Sequence, residues 1–266
     1  MAQPIEEPGD PRLSDYRRTG DPTWLRSRGL FVAEGRLVVE RLIEARRFTI
    51  CSILVTPAAS AALARPLSSV PCPVYEVSRE LIETLTGFDF HRGCLALAER
   101  PPAADPADVL ERSRHVLAME GIGNPDNIGG LFRVAEAFGT DAVLLDPTSG
   151  DPLYRKAIRT SMGAVLRVPA VRLTSWPEGL DASRRQGFKI LALTPRASAV
   201  PLAECVRSLG AGERLITVVG GEGGGLSEAA LAMADVRVRI PLAVGVDSLN
   251  VVVAAGIALA ALHRPG

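Results

Sequence analysis

"LITVVGGEGGGLSEAALAMADVRVRIPLAVGVDSLNVVVAAG", residues 215–256, decides the fold. It opens on an apolar run suited to a buried strand, turns through five glycines between 220 and 225, and runs on into the helical pattern LSEAALAMA. A second strand, VRVRIP (236–241), follows, and Ser248 and Asn250 then open an apolar helix. Glycines let backbone amides approach a ligand closely, which usually signals a phosphate site. The spacing excludes two such sites. Aligning G-x-G-x-x-G on Gly221 places Leu226 where the third glycine should stand, and aligning it on Gly223 places Glu228 there. A phosphate loop needs Gly-Lys-Ser/Thr, and the chain's lysines are Lys156 and Lys189 alone. Glu222, among the glycines, repels pyrophosphate but suits a cationic or hydroxyl-bearing ligand.

Outward from this stretch the alternation of strand and helix is regular. Strands are predicted at HVLAM (115–119), AVLLD (142–146), VLRVPAVRL (165–173), KILALT (189–194), LITVVG (215–220) and VRVRIP (236–241), with helical patterns such as NIGGLFRVAEAFG between most of them. The expectation is an α/β domain with a largely parallel sheet covered by helices on both faces. Ligands of such sheets bind at the strand C-termini, where the glycine-rich and Asn-rich loops fall. The proline- and alanine-rich ERPPAADPADVLERSRH (99–115) reads as a linker. Before it, LFVAEGRLVVERLIEA is helical after Gly35, TICSILVTP and CLALAE are strands, and ELIETLTG is a short helix, which makes a small α/β unit. The expected organisation is residues 1–100, a linker at 101–114, and a second domain at 115–266.

At 266 residues with 47% hydrophobic content, the chain buries real cores. Cys51, Cys72, Cys94 and Cys205 have no C-x-x-C spacing, and His91, His115 and His263 are scattered, so neither a metal site nor a disulfide framework is expected and the histidines read as structural. The N-terminus is polar, and the apolar run Val251–Leu262 is shorter than the ~18 residues of a membrane span, so the expectation is a cytoplasmic protein without a membrane partner. Formal net charge is zero, but arginines outnumber acids between Arg12 and Arg47 and again between Asp151 and Arg172. These segments read either as an anion-binding surface or as solvated helix faces.

Three loops hold the unusual residues. In the first, MEGIGNPDNIGGLFRVAEAFG (119–139), Asn127 is placed to cap the following helix, and Arg133, six residues on and just under two turns away, is expected on roughly the same side. The glycine turn is the second, and IPLAVGVDSLNVVVAAG (240–256) is the third. Together they resemble the three signature motifs of the SpoU, or TrmH-like, branch of the SPOUT RNA methyltransferases. The first motif is matched by Asn124, Pro125, Asn127, Gly129 and Arg133, the second by Gly220, Glu222 and Gly225, and the third by Ile240, Pro241, Gly245, Ser248, Leu249, Asn250 and Val251. Leu242 replaces the usual methionine, and Val134 and Glu136 stand where small residues are common. RTSMGA (159–164) resembles the family's Ser-x-Gly-Ala element, and GLFVAEGRLVVERL and HRGCLALAE more weakly resemble its N-terminal RNA substrate-binding domain.

The resemblance implies an S-adenosylmethionine-dependent RNA ribose 2′-O-methyltransferase acting on ribosomal or transfer RNA, with ribosomal RNA slightly preferred. It implies a homodimer and a deep trefoil knot in the C-terminal segment. It assigns Thr194, Gly220, Gly225, Ile240, Leu242 and Leu249 to the cofactor, and Arg133, Asn127, Ser248, Asn250 and Glu222 to catalysis and positioning. A guanidinium donates hydrogen bonds far better than it accepts protons, so Arg133 is expected to orient the ribose and its 3′-phosphate. The competing expectations are a non-catalytic RNA-binding protein that keeps the fold and, disfavoured by the failed fingerprint, a nucleotide-binding oxidoreductase.

Overall fold

The structure is a computed structural model that describes residues 2–87 and 92–263. His91 therefore lies outside the described residues. The chain divides into two compact units, residues 1–102 with 153–167, and residues 103–152 with 168–266.

In the first unit the elements are β1 (Gln3–Pro4), α1 (Pro22–Ser27), β2 (Leu30–Glu34), α2 (Arg36–Ala45), β3 (Ile50–Val55), α3 (Pro57–Ala62), α4 (Ala64–Leu67), β4 (Val74–Glu76), α5 (Arg79–Thr86) and β5 (Cys94–Glu99). The sheet order is β1-β4-β3-β5-β2, with β5 antiparallel to both neighbours and the other pairs parallel. Asp21, Thr56 and Ser78 start α1, α3 and α5 by accepting from backbone amides of the first turn. Leu81, Ile82 and Leu85 of α5 bury against Leu54, Leu95 and Leu97 of the sheet, with Tyr16 and Leu13 completing that core. Strand β2, which the helical pattern after Gly35 left unread, is buried along its whole length.

Residues 153–167 join this unit rather than the second. Their helix, Arg155–Thr160, buries Ala157 and Ile158 and packs on β2. Arg155 Nε stands 3.2 Å from Glu34 Oε2, and Arg41 Nη1 donates to the Met162 carbonyl at 2.9 Å. The division is thus less simple than three consecutive ranges. The stretch expected as a linker also holds a helix, α6 (Pro106–Glu111), capped by Asp105.

The second unit continues with β6 (His115–Glu120), α7 (Pro125–Ala137) and β7 (Ala142–Leu145). Beyond the helix Arg155–Thr160, which is α8 in chain order, come β8 (Ala170–Arg172), α9 (Leu180–Arg185), β9 (Phe188–Leu193), β10 (Val200–Pro201), α10 (Leu202–Ser208), β11 (Arg214–Gly220), α11 (Glu228–Met233), β12 (Val236–Arg239) and α12 (Val251–Leu262). The seven strands lie in the order β10-β12-β9-β11-β6-β7-β8, every pair parallel. Side chains alternate between two cores, as a sheet covered on both faces requires. Ile190, Ala192, Ile216 and Val218 face Leu110, Leu180 and Leu231, whereas Leu191 and Leu215 face Leu202, Cys205, Ala258 and Leu262.

One strand is shorter than expected. VLRVPAVRL begins within a 3₁₀ turn, Ala164–Leu166, and forms a strand only at Ala170–Arg172. Pro169 has no N–H to give the ladder, so pairing begins at its carbonyl, which accepts from Val143 N at 2.8 Å. The short β10 and α10 carried too little periodicity to be read in the sequence.

Candidate active site

Strand order creates the site. From β6 the chain proceeds outward through β7 and β8, while β9 lies on the far side of β11, so β6 and β11 flank the switch point of the sheet. Their C-terminal residues, Glu120 and Gly220, are in register, and the loops that follow leave the sheet side by side. Gly221 N donates to the Glu120 carbonyl at 2.8 Å, and Gly225 N closes the glycine turn on the Gly221 carbonyl at 3.0 Å. A Cβ at Gly220 would sit 2.2 Å from the Gly225 carbonyl carbon, and one at Gly221 would sit 2.3 Å from the Gly121 oxygen. Both contacts are with backbone, so glycine is required at these positions by close approach. The far end of the turn is tied down by Ser227, which caps α11 and donates through Oγ to Glu120 Oε1 at 2.6 Å. Glu222 is left at the exposed tip.

Helix α7 starts at the loop after β6. Its cap is Asn124, whose Oδ1 accepts from Asp126 N at 2.9 Å, with Pro125 in the first turn. This corrects the expectation that Asn127 caps the helix. Asn127 lies inside the first turn, is only 7% exposed, and donates through Nδ2 to Glu222 Oε1 at 2.9 Å. The third motif joins them. Asn250 caps α12 by accepting from Val252 N at 2.9 Å, and its Nδ2 approaches both Asn127 Oδ1 and Glu222 Oε1 at 3.2 Å. The two helices also pack directly, because Gly130 leaves room for the Val252 methyls, which would lie 2.8 Å from a Cβ there.

Arg133 stands apart from this cluster. It is exposed and makes no hydrogen bond or ion pair among the described residues. The expectation that it shares a side with Asn127 is corrected. Six residues at about 100° each leave the two side chains about 120° apart around the helix, one buried and one in solvent.

Beside the cluster lies a cleft of about 570 Å³ at the C-terminal ends of β9, β11 and β12. All six residues assigned to the cofactor, Thr194, Gly220, Gly225, Ile240, Leu242 and Leu249, line it, as do Glu222, Ser248 and Asn250; Asn127 and Arg133 do not. Its walls are aliphatic side chains and glycine backbone, and among the described residues its charged lining residues are Glu222 and Arg196. Such a lining suits a ligand that is flat and apolar at one part, rich in hydrogen-bonding groups at another, and free of phosphate.

The loop that seats the first motif is itself held by residues sequence reasoning missed. Asp146 accepts from Ser149 N at 2.7 Å and Thr148 N at 3.2 Å, and Ser149 Oγ accepts from Ile122 N at 3.1 Å. Arg172 gathers three carbonyls, those of Asp146, Ser149 and Gly150, at 2.7, 2.8 and 2.9 Å. Burial pushes the Asp146 carboxyl up, but the hydrogen bonds from Ser149, Thr148 and Gly121 outweigh it and hold the group below its ordinary value. An Asp followed by Thr and Ser at two and three residues is the signal that was available for this turn.

A profile of the SpoU rRNA Methylase family matches residues 114–260, the span that contains all three loops. The chain belongs to that family. Over its length it is 40% identical to an uncharacterised tRNA/rRNA methyltransferase of Mycobacterium bovis, the alignment covering 99% of this chain and 92% of the relative. It is 33% identical to the 23S rRNA (guanosine(2553)-2′-O)-methyltransferase of Bacillus subtilis over 57% of this chain and 59% of that one. The fold is that of the AdoMet-bound rRNA methyltransferase of Sinorhizobium meliloti, with a TM-score of 0.82, 23% identity, and coverage of 98% and 97% of the two chains. The protein is thus an RNA methyltransferase of the SpoU family and SPOUT superfamily. Among the described residues no group of His, Cys, Asp and Glu is arranged to hold a metal ion, and no helix is long and apolar enough to cross a membrane. His263 closes α12 onto the end of α7, with Nδ1 3.0 Å from the Phe138 carbonyl oxygen.

Proposed function

We propose that the protein transfers a methyl group from S-adenosylmethionine to a ribose 2′-hydroxyl of RNA, with ribosomal RNA preferred to transfer RNA. The observation that carries this reading is the meeting of Asn127, Glu222 and Asn250 at the rim of the glycine-walled cleft. The cleft fits the cofactor by chemistry. Leu193, Ile240, Leu242 and Leu249 supply apolar walls for adenine, the backbone around Gly220 and Gly225 supplies amides and carbonyls, and no lysine is present to demand a phosphate.

When bound, the sulfonium supplies a methyl that is already a strong electrophile. The chain's own task is to place the hydroxyl in line with it and assist loss of the proton. Asn127 is locked in place by its two partners, so its amide and that of Asn250 form a rigid polar rim. Ser248, exposed at the cleft, is available to the acceptor ribose. Glu222 accepts from both amides through Oε1. Arg133, unpaired and in solvent, is free to grip the phosphate 3′ to the reacting ribose through a bidentate contact.

The same reading carries residues 1–100 as an RNA-binding domain, a trefoil knot in the C-terminal segment, and a homodimer. Support for the dimer lies on α12, where Val253 and Ile257 are 50% and 41% exposed on a helix that carries no charge. Methyl transfer to ribosomal and transfer RNA, followed by mapping of alkali-resistant positions, tests the proposal. Methylation of a base would remove the ribose assignment, and RNA binding without any transfer would establish the non-catalytic alternative.

A further inference from the structure

Arg196 is the single cationic residue among the described residues that line the cleft. It follows β9, and its backbone is fixed on both sides. Thr194 N donates to the Val238 carbonyl at 2.9 Å, and the Arg196 carbonyl accepts from Ala199 N at 3.0 Å in a tight turn. The guanidinium forks onto the carboxylate of Glu228, Nη1 to Oε2 at 3.1 Å and Nη2 to Oε1 closer still. Glu228 is 75% exposed and Arg196 42%, so the pair stands in water, where such contacts are worth little and exchange readily.

Charge is distributed unevenly along the cleft. Its anionic group, Glu222, is occupied by the amides of Asn127 and Asn250. Its cationic group, Arg196, is occupied, among the described residues, by a surface carboxylate on the first turn of α11. The planar fork of arginine matches a carboxylate in two parallel hydrogen bonds, and the Glu228 carboxylate shows that geometry already formed.

We propose that Arg196 is the carboxylate-recognition residue of the cleft, which exchanges Glu228 for the α-carboxylate of the amino-acid part of the bound ligand. The inference rests on the S-adenosylmethionine reading given above. It assigns the two ends of the ligand, with the amino-acid carboxylate towards the loop after β9 and the reacting region towards the rim formed by Asn127, Glu222 and Asn250. Glu228 then acts as a competing anion that holds the fork in shape while the cleft is empty of ligand.

The test compares S-adenosylmethionine with its decarboxylated form, which keeps the adenosine, the sulfonium and the ammonium, by calorimetry on the full-length protein. The wild-type protein is expected to prefer the carboxylate-bearing ligand by about tenfold or more, the size of a charged hydrogen-bonded contact. Arg196→Ala should abolish that preference while leaving affinity for the decarboxylated ligand unchanged, and Arg196→Lys should restore part of it. Glu228→Gln should strengthen binding of the carboxylate-bearing ligand alone. A preference that survives in Arg196→Ala overturns the proposal, as does an equal loss for both ligands, which marks a change in loop structure. Failure of the wild-type protein to bind either ligand removes the cofactor reading itself, and the subsite with it.

Discussion

Asn127 and Glu222, 95 positions apart in the chain, meet at 2.9 Å through Asn127 Nδ2 and Glu222 Oε1. The contact exists because β6 and β11 are neighbours in a parallel sheet and end in register, so that the start of α7 and the tip of the glycine turn are delivered to one place. Asn250 completes the set from the start of α12. A network in which each member fixes the others behaves as a unit, and removing one member costs more than one hydrogen bond.

Asn127→Ala should therefore lower kcat by about tenfold to a hundredfold, the range of a lost positioning contact of roughly 1.4–2.7 kcal/mol. Affinity for S-adenosylhomocysteine should change little, because Asn127 does not line the cleft. Calorimetry beside single-turnover methylation separates the two effects. Equal loss of cofactor binding and rate would show that Asn127 serves the cleft rather than the acceptor.

Arg133→Ala removes an exposed side chain that makes no hydrogen bond or ion pair among the described residues, so the melting temperature should stay within about 1 °C of wild type. If the guanidinium orients the reacting ribose, kcat should nonetheless fall by ~10²-fold or more, since the lost contact matters chiefly in the transition state. A variant with full single-turnover rate would end the catalytic assignment.

The contrast between these two residues shows how much of the site was legible in sequence. The motif residues of the cleft rim were recognisable by type and spacing, and strand alternation announced a parallel sheet. What sequence could not carry was direction. The six-residue interval from Asn127 to Arg133 looked like one helix face, and only the burial of one and exposure of the other shows two. Asn127 looked like a cap because Asn is a favoured cap, but Asn124 three residues earlier takes that position and frees Asn127 for Glu222. Arg172 was invisible because its partners are backbone carbonyls, which leave no mark on residue identity, whereas the Asp146 turn carried a local Asp-x-Thr-Ser signal that went unread. The attachment of residues 153–167 to the first unit was likewise unreadable, since it depends on packing between segments more than 100 positions apart.

Gly220→Ala should disable the cleft. The added methyl meets backbone atoms of Gly225 and Leu226 at 2.2–2.4 Å, so the turn must open and Glu222 must move away from its two amide partners. A loss of stability of about 1–3 kcal/mol is expected, together with loss of measurable S-adenosylhomocysteine binding. Gly224→Ala is the control, because nothing lies within 4 Å of a Cβ there and its φ is not in the left-handed region. Equal binding by the two variants would contradict the close-approach argument.

Asp146 gives the site a defined response to acid. Its folded-state carboxyl is held below its ordinary value, so ionised Asp146 contributes stability at pH values above the unfolded-state value near 3.8, and that contribution is lost as pH falls through the folded value. Asp146→Asn should flatten the stability profile in that acid range, and at neutral pH it should loosen the Ile122–Asn124 segment through weaker support of Ser149. Hydrogen exchange at Ile122 N, read against the Asp146→Asn variant, checks this; unchanged protection would show that Ser149 holds its position without the carboxylate.

The basic residues of the first unit divide into two kinds, and this changes what their removal does. Arg46 is exposed just after α2, and neutralising it should weaken RNA binding and flatten its salt dependence, because one fewer counterion is released per complex. Arg41 is different, since its guanidinium donates to the Met162 carbonyl, and Arg47 Nη1 reaches the Arg167 carbonyl at 3.5 Å. Together with the buried Glu34 carboxylate facing Arg155, these contacts hold residues 153–167 against β2 and α2. Glu34→Ala should cost about 1–3 kcal/mol, less than for a fully buried pair because the Arg155 left behind is about a quarter exposed. A shortened chain of residues 103–266 lacks every one of these partners, and would expose Ala157 and Ile158 to water. It should therefore be cut by proteases first within 153–167 and should melt well below the full-length protein, whereas equal melting and equal protection of that segment would show that it folds without residues 1–102.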